Sequence, residues 1–257
     1  IFIPNEYDKL MSVIGAEGTN AYTPTDMTVY VEDIPSNQIE NWARIEADRF
    51  MHPVIRGFHT ELETVYEEKN MSLTNDFRKS LEAMDGILFA DHPYGTQTVL
   101  GTQEHLKNPS VTNIKNYHKT YYVPNNMAIC LSGDFDPDEM LSIIEKYFGQ
   151  MEPNTELPEV DFETKTVIES PVSKEVYGLD AENIMIGWKY PGAGTQEALV
   201  ADVVSYILSN GSAGLIDLNL NQQQKVLGAQ AMSYTRPDAG EFLIMANPKQ
   251  GQSLDEV

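Results

Sequence analysis

One cysteine in the chain, Cys130, excludes an intramolecular disulfide and any zinc site built on thiolates. Basic residues are scarce: 17 Lys and Arg face 39 Asp and Glu, leaving a net charge of −22 at pH 7. A surface this acidic repels nucleic acid and anionic membranes, so neither is an expected partner. No apolar run is long enough to span a bilayer, and no targeting segment is legible. A glycine-rich phosphate loop and a G-x-S-x-G elbow are also missing. The five histidines form neither H-E-x-x-H nor H-x-x-E-H, the helical pairs that set two imidazoles one turn apart on zinc.

What remains is an ordinary globular composition, with 41% hydrophobic and 22% charged residues among 257. That length buries a core and suits one or two domains. The acidity would favour basic or unfolded peptides as partners.

Periodicity predicts a helix after Pro35, with Ile39, Trp42, Ile45 and Phe50 on one side and Pro53 as its stop. A second helix carries "ELETVYEEKN" and keeps helical spacing as far as Met84. A third lies in "NPSVTNIKNYHKTYYVP", and 126–132 reads as a buried strand holding Cys130. Asp136 caps a further helix with Pro137 at its first position and Glu139 completing a capping box. An acidic, proline-bearing stretch, 153–172, reads as a linker. Beyond it come a strand ("ENIMIGWKY"), a helix ("TQEALVADVVSYILSN"), a helix over about 215–226, and a hairpin around "RPDAG".

An internal echo suggests duplication. "GAEGTNAYTPTD" and "GAQAMSYTRPD" both lead from Gly-Ala into Tyr-Thr-x-x-Asp, at Tyr22 and at Tyr234. The expected fold class is therefore α+β, with duplicated domains of mixed or antiparallel sheet packed on helices. Their expected bounds are 1–152 and 173–257, joined by the linker 153–172. A strand and two helices precede the second glycine, whereas little precedes Gly15. Both domains therefore read as truncated, and self-association through uncovered apolar surface is expected.

Glu61 and Glu68 stand seven apart and share a helix face, with Glu63 and Glu67 beside them. Such crowding costs a few tenths of a kcal/mol per pair, roughly, unless a cation compensates. Spacing alone leaves a solvated face and a metal-binding face both open, with His59 four residues before Glu63. The remaining histidines, His52, His92, His105 and His118, read as surface, packing or turn residues. Asp134, Asp136, Asp138 and Glu145 fit four positions of a calcium loop. Glu139 fills the place of its glycine, however, and helix capping is the better account.

Taken in order, "GAEGTNAYTPTDMTVYVE", "ELETVYEE", "HPYGTQTVLGTQEHLKN", "YYVPNNMAICLSGDFDPDEM" and "YFG" resemble the insulinase/pitrilysin family of zinc metallopeptidases. The later half, with "IMIGWKYPG" and "VSYILSNGSAGL", is similar to the family's second homologous domain. The resemblance implies a zinc ion held by two histidines of an H-x-x-E-H helix and by a glutamate of a later E-x6-E helix. Glu68 matches that ligand and Glu61 its supporting carboxylate; Asn20, Ala21 and Tyr22 match the edge strand on which substrate adds. H-x-x-E-H itself is absent, so the general base and two ligands are expected upstream of Ile1. By this reading the chain alone binds no zinc and is inactive. The implied function is that of a fragment of a zinc-dependent metalloendopeptidase acting on peptides or unfolded polypeptides, its partners being those substrates and the protein's other segments or domains. The alternative is a non-catalytic peptide-binding or scaffold subunit of the same family.

Overall fold

The computed structural model describes residues 5–55, 57–159, 162, 164 and 167–257. Helices and antiparallel sheets make up the fold, an α+β class as expected. The chain forms two compact units that interleave in sequence: Ile1–Tyr66 with Gln103–Val160, and Glu67–Thr102 with Asp161–Val257. Residues 67–102, placed by sequence in the first domain, thus cluster with the later half. Of the expected linker, residues 160, 161, 163, 165 and 166 lie outside the described residues.

The first unit opens with α1 (Glu6–Val13), followed by the antiparallel hairpin β1 (Glu17–Tyr22) and β2 (Val29–Asp33). Gly15 turns the chain between α1 and β1 with φ +80°, a conformation that Cβ sterics disfavour. α2 (Ile39–Met51) buries Trp42, Ala43, Glu46 and Ala47, a stripe at helical spacing. These meet Met11 of α1 and Phe148 of α8 (Pro137–Phe148) in the unit's core. α3 (Phe58–Ser72) begins in this part of the chain. α7 (Val111–Tyr121) starts at Ser110, whose hydroxyl accepts the Asn113 N–H. Asp136 Oδ1 accepts the N–H groups of Asp138 and Glu139, so this carboxylate caps α8 rather than opening a calcium loop.

Residues 127–132 form no helix or strand, among the described residues they carry no strand pairing, and Cys130 is exposed. This corrects the expected buried strand. The apolar run has the right composition, but among the described residues no neighbouring strand pairs with it.

In the second unit the helix expected to continue to Met84 is instead broken. α3 ends at Ser72, and α4 (Asp76–Leu88) restarts at Asn75, whose side chain accepts the Arg78 N–H. An N-cap that captures the chain's donors competes with continuing the helix, and spacing alone does not register it. After the short α5 (Pro93–Thr96) and, in the first unit, α6 (Gln103–Lys107), the chain supplies β3 (Ile184–Pro191) and α9 (Gln196–Leu208). β4 (Gly228–Thr235) and β5 (Ala239–Asn247) close a sheet of order β3-β5-β4. The helix expected over 215–226 shrinks to a π-type turn at Asp217–Asn221. The Asp217 carboxylate gathers the N–H groups of Asn210, Gly211 and Gly214 into a tight loop, and Gln224 at φ 51° turns the chain out of helix.

The echo seen in sequence is an echo of register. Tyr22 pairs with Val29 and Ala21 with Tyr30; Tyr234 pairs with Glu241 and Ser233 with Phe242. Each Tyr-Thr-x-x-Asp thus makes the same hairpin.

α4 packs closely on the sheet: a Cβ at Gly187 would stand 2.7 Å from Met84 Sδ. α5 is tighter still, because a Cβ at Gly95 would stand 2.4 Å from the carbonyl oxygens of both Asp85 and Phe89. Backbone cannot give way as a side-chain end can. Gly95→Ala is expected to cost about 2–3 kcal/mol, at the upper end for overpacking. Thermal unfolding followed by circular dichroism reads this as a lowered Tm.

Candidate functional site: the acidic helix, the free strand edge and two arginine clusters

α3 carries Glu61, Glu63, Glu67 and Glu68 as exposed side chains. Two turns separate Glu61 from Glu68, roughly 10 Å along the axis. His59 is exposed on the same helix. Lys69, by contrast, is buried, its Nζ lying 3.6 Å from Glu82 Oε1. Among the described residues no group of three or more His, Cys, Asp or Glu is arranged to hold a metal ion. These residues therefore do not fit zinc by themselves. Glu68 stands as one solvated carboxylate, and a zinc ion ordinarily takes three or four protein ligands.

Asn20, Ala21 and Tyr22 lie on β1, every residue of which is exposed. β1 pairs with β2 and, among the described residues, with nothing else. Its edge is blunted locally: Asn20 Oδ1 accepts the Ala21 N–H at 2.8 Å, occupying a main-chain donor that an added strand would use.

Sequence reading missed two arginine clusters, one half-buried and one buried. In the first unit the Arg49 guanidinium lies 4.5 Å from the Tyr7 ring centre, 4.4 Å from Tyr30 and 4.8 Å from Phe50. It pairs with Glu46 and lies 4.0 Å from Glu32, which also accepts from the Tyr7 hydroxyl at 2.8 Å. Burial pushes the Glu46 carboxyl above its ordinary range, with Arg49 opposing.

The second unit repeats the device. Arg236 lies 4.6 Å from the Phe89 ring centre, 4.3 Å from Tyr94 and 5.3 Å from Tyr234. Its Nη2 donates to Asp85 Oδ1 at 3.0 Å and Glu241 Oε1 at 3.4 Å. Beside it His92, read from sequence as a turn residue, is 1% exposed and caps α5: its Nδ1 accepts the Tyr94 N–H at 3.1 Å. The proton therefore sits on Nε2, which lies 3.3 Å from Asp238 Oδ2 without hydrogen-bond alignment. The legible signal was Pro93, which marks the first position of a helix and makes His92 its cap.

One guanidinium serves two carboxylates here. Burial first, then the charge of Asp85, raises Glu241 to about 7, while Arg236 pulls the other way. A carboxyl raised on folding binds its proton more tightly in the native state. Its stabilising contribution is complete below about pH 4.5 and is lost by about pH 7, for a total on the order of 3 kcal/mol. Glu241→Gln, neutral at every pH, is expected to flatten that slope and to raise Tm at pH 8 while leaving it nearly unchanged at pH 4.5. Calorimetric scans across this range test it; equal slopes in both proteins would refute the assignment.

The likeness to known proteins now has its geometry. The family described as the Peptidase M16 inactive domain matches residues 110–257, more than half of the chain. Zinc protease PqqE of Helicobacter pylori is 22% identical over 255 residues, covering 94% of this chain and 55% of that protein. The crystal structure of a Helicobacter pylori protease shares the fold with a TM-score of 0.83 at 20% identity, over 96% of this chain and 61% of that one. Pitrilysin does so with a TM-score of 0.72 at 20% identity, over 96% of this chain and 27% of its own. The chain spans about half the length of the Helicobacter zinc protease. From the matched family and the shared fold, this chain belongs to the M16 peptidases, the insulinase/pitrilysin family.

Proposed function

We propose that these residues serve as part of a zinc-dependent metalloendopeptidase acting on peptides or unfolded polypeptides. The observation that carries the reading is the presence of two family features in one fold: an E-x6-E helix with its carboxylates free, and a strand with an open edge. Zinc, when bound by a complete ligand set, supplies a Lewis acid and an activated water. Glu68 would be this chain's ligand and Glu61 its support; the histidine ligands and general base would come from residues outside these 257.

The chain's own part in binding is more direct. A substrate added along β1 pairs main chain to main chain, which tolerates many sequences. For that, the Asn20 carboxamide must swing off the Ala21 N–H. Asn20 then becomes free to bond the substrate backbone, while Tyr22, 54% exposed, offers a ring to its side chains. The net charge of −22 favours basic peptides and slows acidic ones as salt is lowered.

A second reading has one observation behind it: the matched family description, over residues 110–257, is of an inactive domain. On that reading the chain is a non-catalytic peptide-binding or scaffold part. Zinc stoichiometry and peptide cleavage by the longer polypeptide decide. One zinc per chain with cleavage abolished by chelator supports the peptidase. Cleavage that survives chelation overturns it, and absence of zinc with retained peptide binding favours the scaffold.

A further inference from the structure

We infer that α4 is held on the second unit's sheet by two anchors of unlike chemistry, and that raising pH releases one of them, the α4–α5 corner, while the other stays pinned. This goes beyond the peptidase reading, which concerns β1 and α3, and does not rest on it. Residues 67–102 are flanked in sequence on both sides by residues of the first unit, so their hold on 161–257 is non-covalent throughout. α4 covers the sheet face that carries Gly187, Glu241 and Leu243: a Cβ at Gly187 would meet both Met84 Sδ and Leu243 Cδ2, and Glu241 lies two residues before Leu243 on β5. The pinned anchor is at the start of the helix. Asp76, buried, accepts the N–H groups of Leu179 and Asp180, and the Lys79 ammonium at 2.6 Å. Gly178 lets the chain come this close, because any Cβ there would collide with the carboxylate. Lys79 first, then the Asp180 N–H, hold the Asp76 carboxyl below its ordinary range, so this anchor does not titrate near neutral pH.

The other anchor is the Arg236 corner. Its charged and titratable groups are Asp85 and Glu82 on α4, His92 and Tyr94 on α5, Arg236 and Asp238 in the turn, Glu241 on β5, and the register partners of Glu241, which are Lys189 on β3 and Tyr234 on β4. Lys189 donates to Thr164 Oγ1 at 2.7 Å. Arg236 reaches Asp85 and Glu241 with the same Nη2, and among the described residues its Nε and Glu241 Oε2 have no hydrogen-bond partner. Two further contacts here are long: Asp238 N–H to the Tyr94 hydroxyl and His92 Nε2 to Asp238 Oδ2, both 3.3 Å. One cation cannot neutralise two carboxylates. With Glu241 protonated the corner is an Asp85–Arg236 pair; with Glu241 ionised it buries a surplus negative charge, which lifting α4–α5 off the sheet returns to water. Glu241 is raised to about 7 when docked, against an ordinary value of 4.5. Its contribution to docking is complete below the lower value and lost as pH rises through the upper one. The open corner therefore becomes about tenfold more populated between pH 6 and pH 8.

Hydrogen exchange of the 257-residue chain, corrected for the intrinsic pH dependence of amide exchange and repeated in low urea, tests this. Local opening exposes little surface and is insensitive to low urea, whereas global unfolding is not. The urea-insensitive opening at residues 84–96 should rise about tenfold from pH 6 to pH 8, because the short α5 and the last turn of α4 fray once uncovered. The first-turn amides 78–80, beside Asp76, should stay level. Glu241→Gln should abolish the rise. Asp85→Asn, which leaves Arg236 to Glu241 alone, should shrink it. The inference is overturned by the absence of a rise, by an equal rise at 78–80, or by exchange at 84–96 that follows only the urea-sensitive unfolding shared with β5. A rise that persists undiminished in both variants overturns it too. No readout involves zinc or turnover, so failure here leaves the peptidase reading standing, and the reverse holds as well.

Discussion

Glu68→Gln, made in the longer polypeptide, is expected to reduce bound zinc and to lower kcat/KM by more than the ten- to hundredfold that loss of an outer-shell partner typically costs. The amide keeps the size of the carboxylate and loses its charge, so a purely steric role for Glu68 predicts little change. Helix stability moves the other way. Glu61, Glu63, Glu67 and Glu68 are all exposed on α3, and removing one charge relieves repulsion worth a few tenths of a kcal/mol. A variant at least as stable, with less metal and slower turnover, therefore separates a ligand from a surface residue. Glu61→Gln should fall within the smaller, ten- to hundredfold range. Zinc content by mass spectrometry and turnover on an unfolded peptide check both. Unchanged zinc and unchanged turnover in Glu68→Gln would remove the metal role from this helix.

Arg236→Met is expected to cost about 3–5 kcal/mol at pH 8, the usual penalty for removing one partner of a buried pair. Methionine preserves apolar volume among Phe89, Tyr94 and Tyr234, so what is lost is chiefly charge. Asp85 and Glu241 are left facing each other without a cation. Burial raises both carboxyls in the native protein, and in this variant nothing opposes it. The loss should shrink toward pH 5, where the proton that Glu241 accepts replaces the missing positive charge. The double variant Arg236→Met, Glu241→Gln should recover part of the stability at pH 8. Urea unfolding at the two pH values measures both effects. A cost independent of pH would mean that packing, not charge, holds this corner together.

Much of the fold was legible because its signals are local. Pro35 and Pro53 framed α2, Asp136-Pro137 announced α8, and the Tyr-Thr-x-x-Asp echo marked two hairpins that share a register. Where reading failed, the deciding force was a side chain turned on its own backbone. Asn75 restarted a helix that spacing alone continued, and the helix expected over 215–226 stops at Asn221, short of Gln224 and its left-handed φ of 51°. The strand expected at 126–132 failed for a different reason: pairing needs a neighbour, and composition says nothing about neighbours. Glu61, Glu68 and the Asn20 strand came from family resemblance, since spacing alone pointed first to a solvated face. The arginine clusters were illegible because they join residues as distant as Asp85 and Arg236.

The alternation of the two units along the chain sets an order of events at the ribosome. Residues 67–102 emerge before any of 161–257, the residues they cluster with. At about 5–20 residues per second, α4 and its buried Leu88 wait several seconds for the sheet that covers them. In that interval the first unit can be finished by residues 103–160 while the intervening segment stays uncovered. A nascent chain of this design is most open to chaperones and proteases between those two moments, and a synonymous change that slows translation there would lengthen the exposure without altering a single side chain.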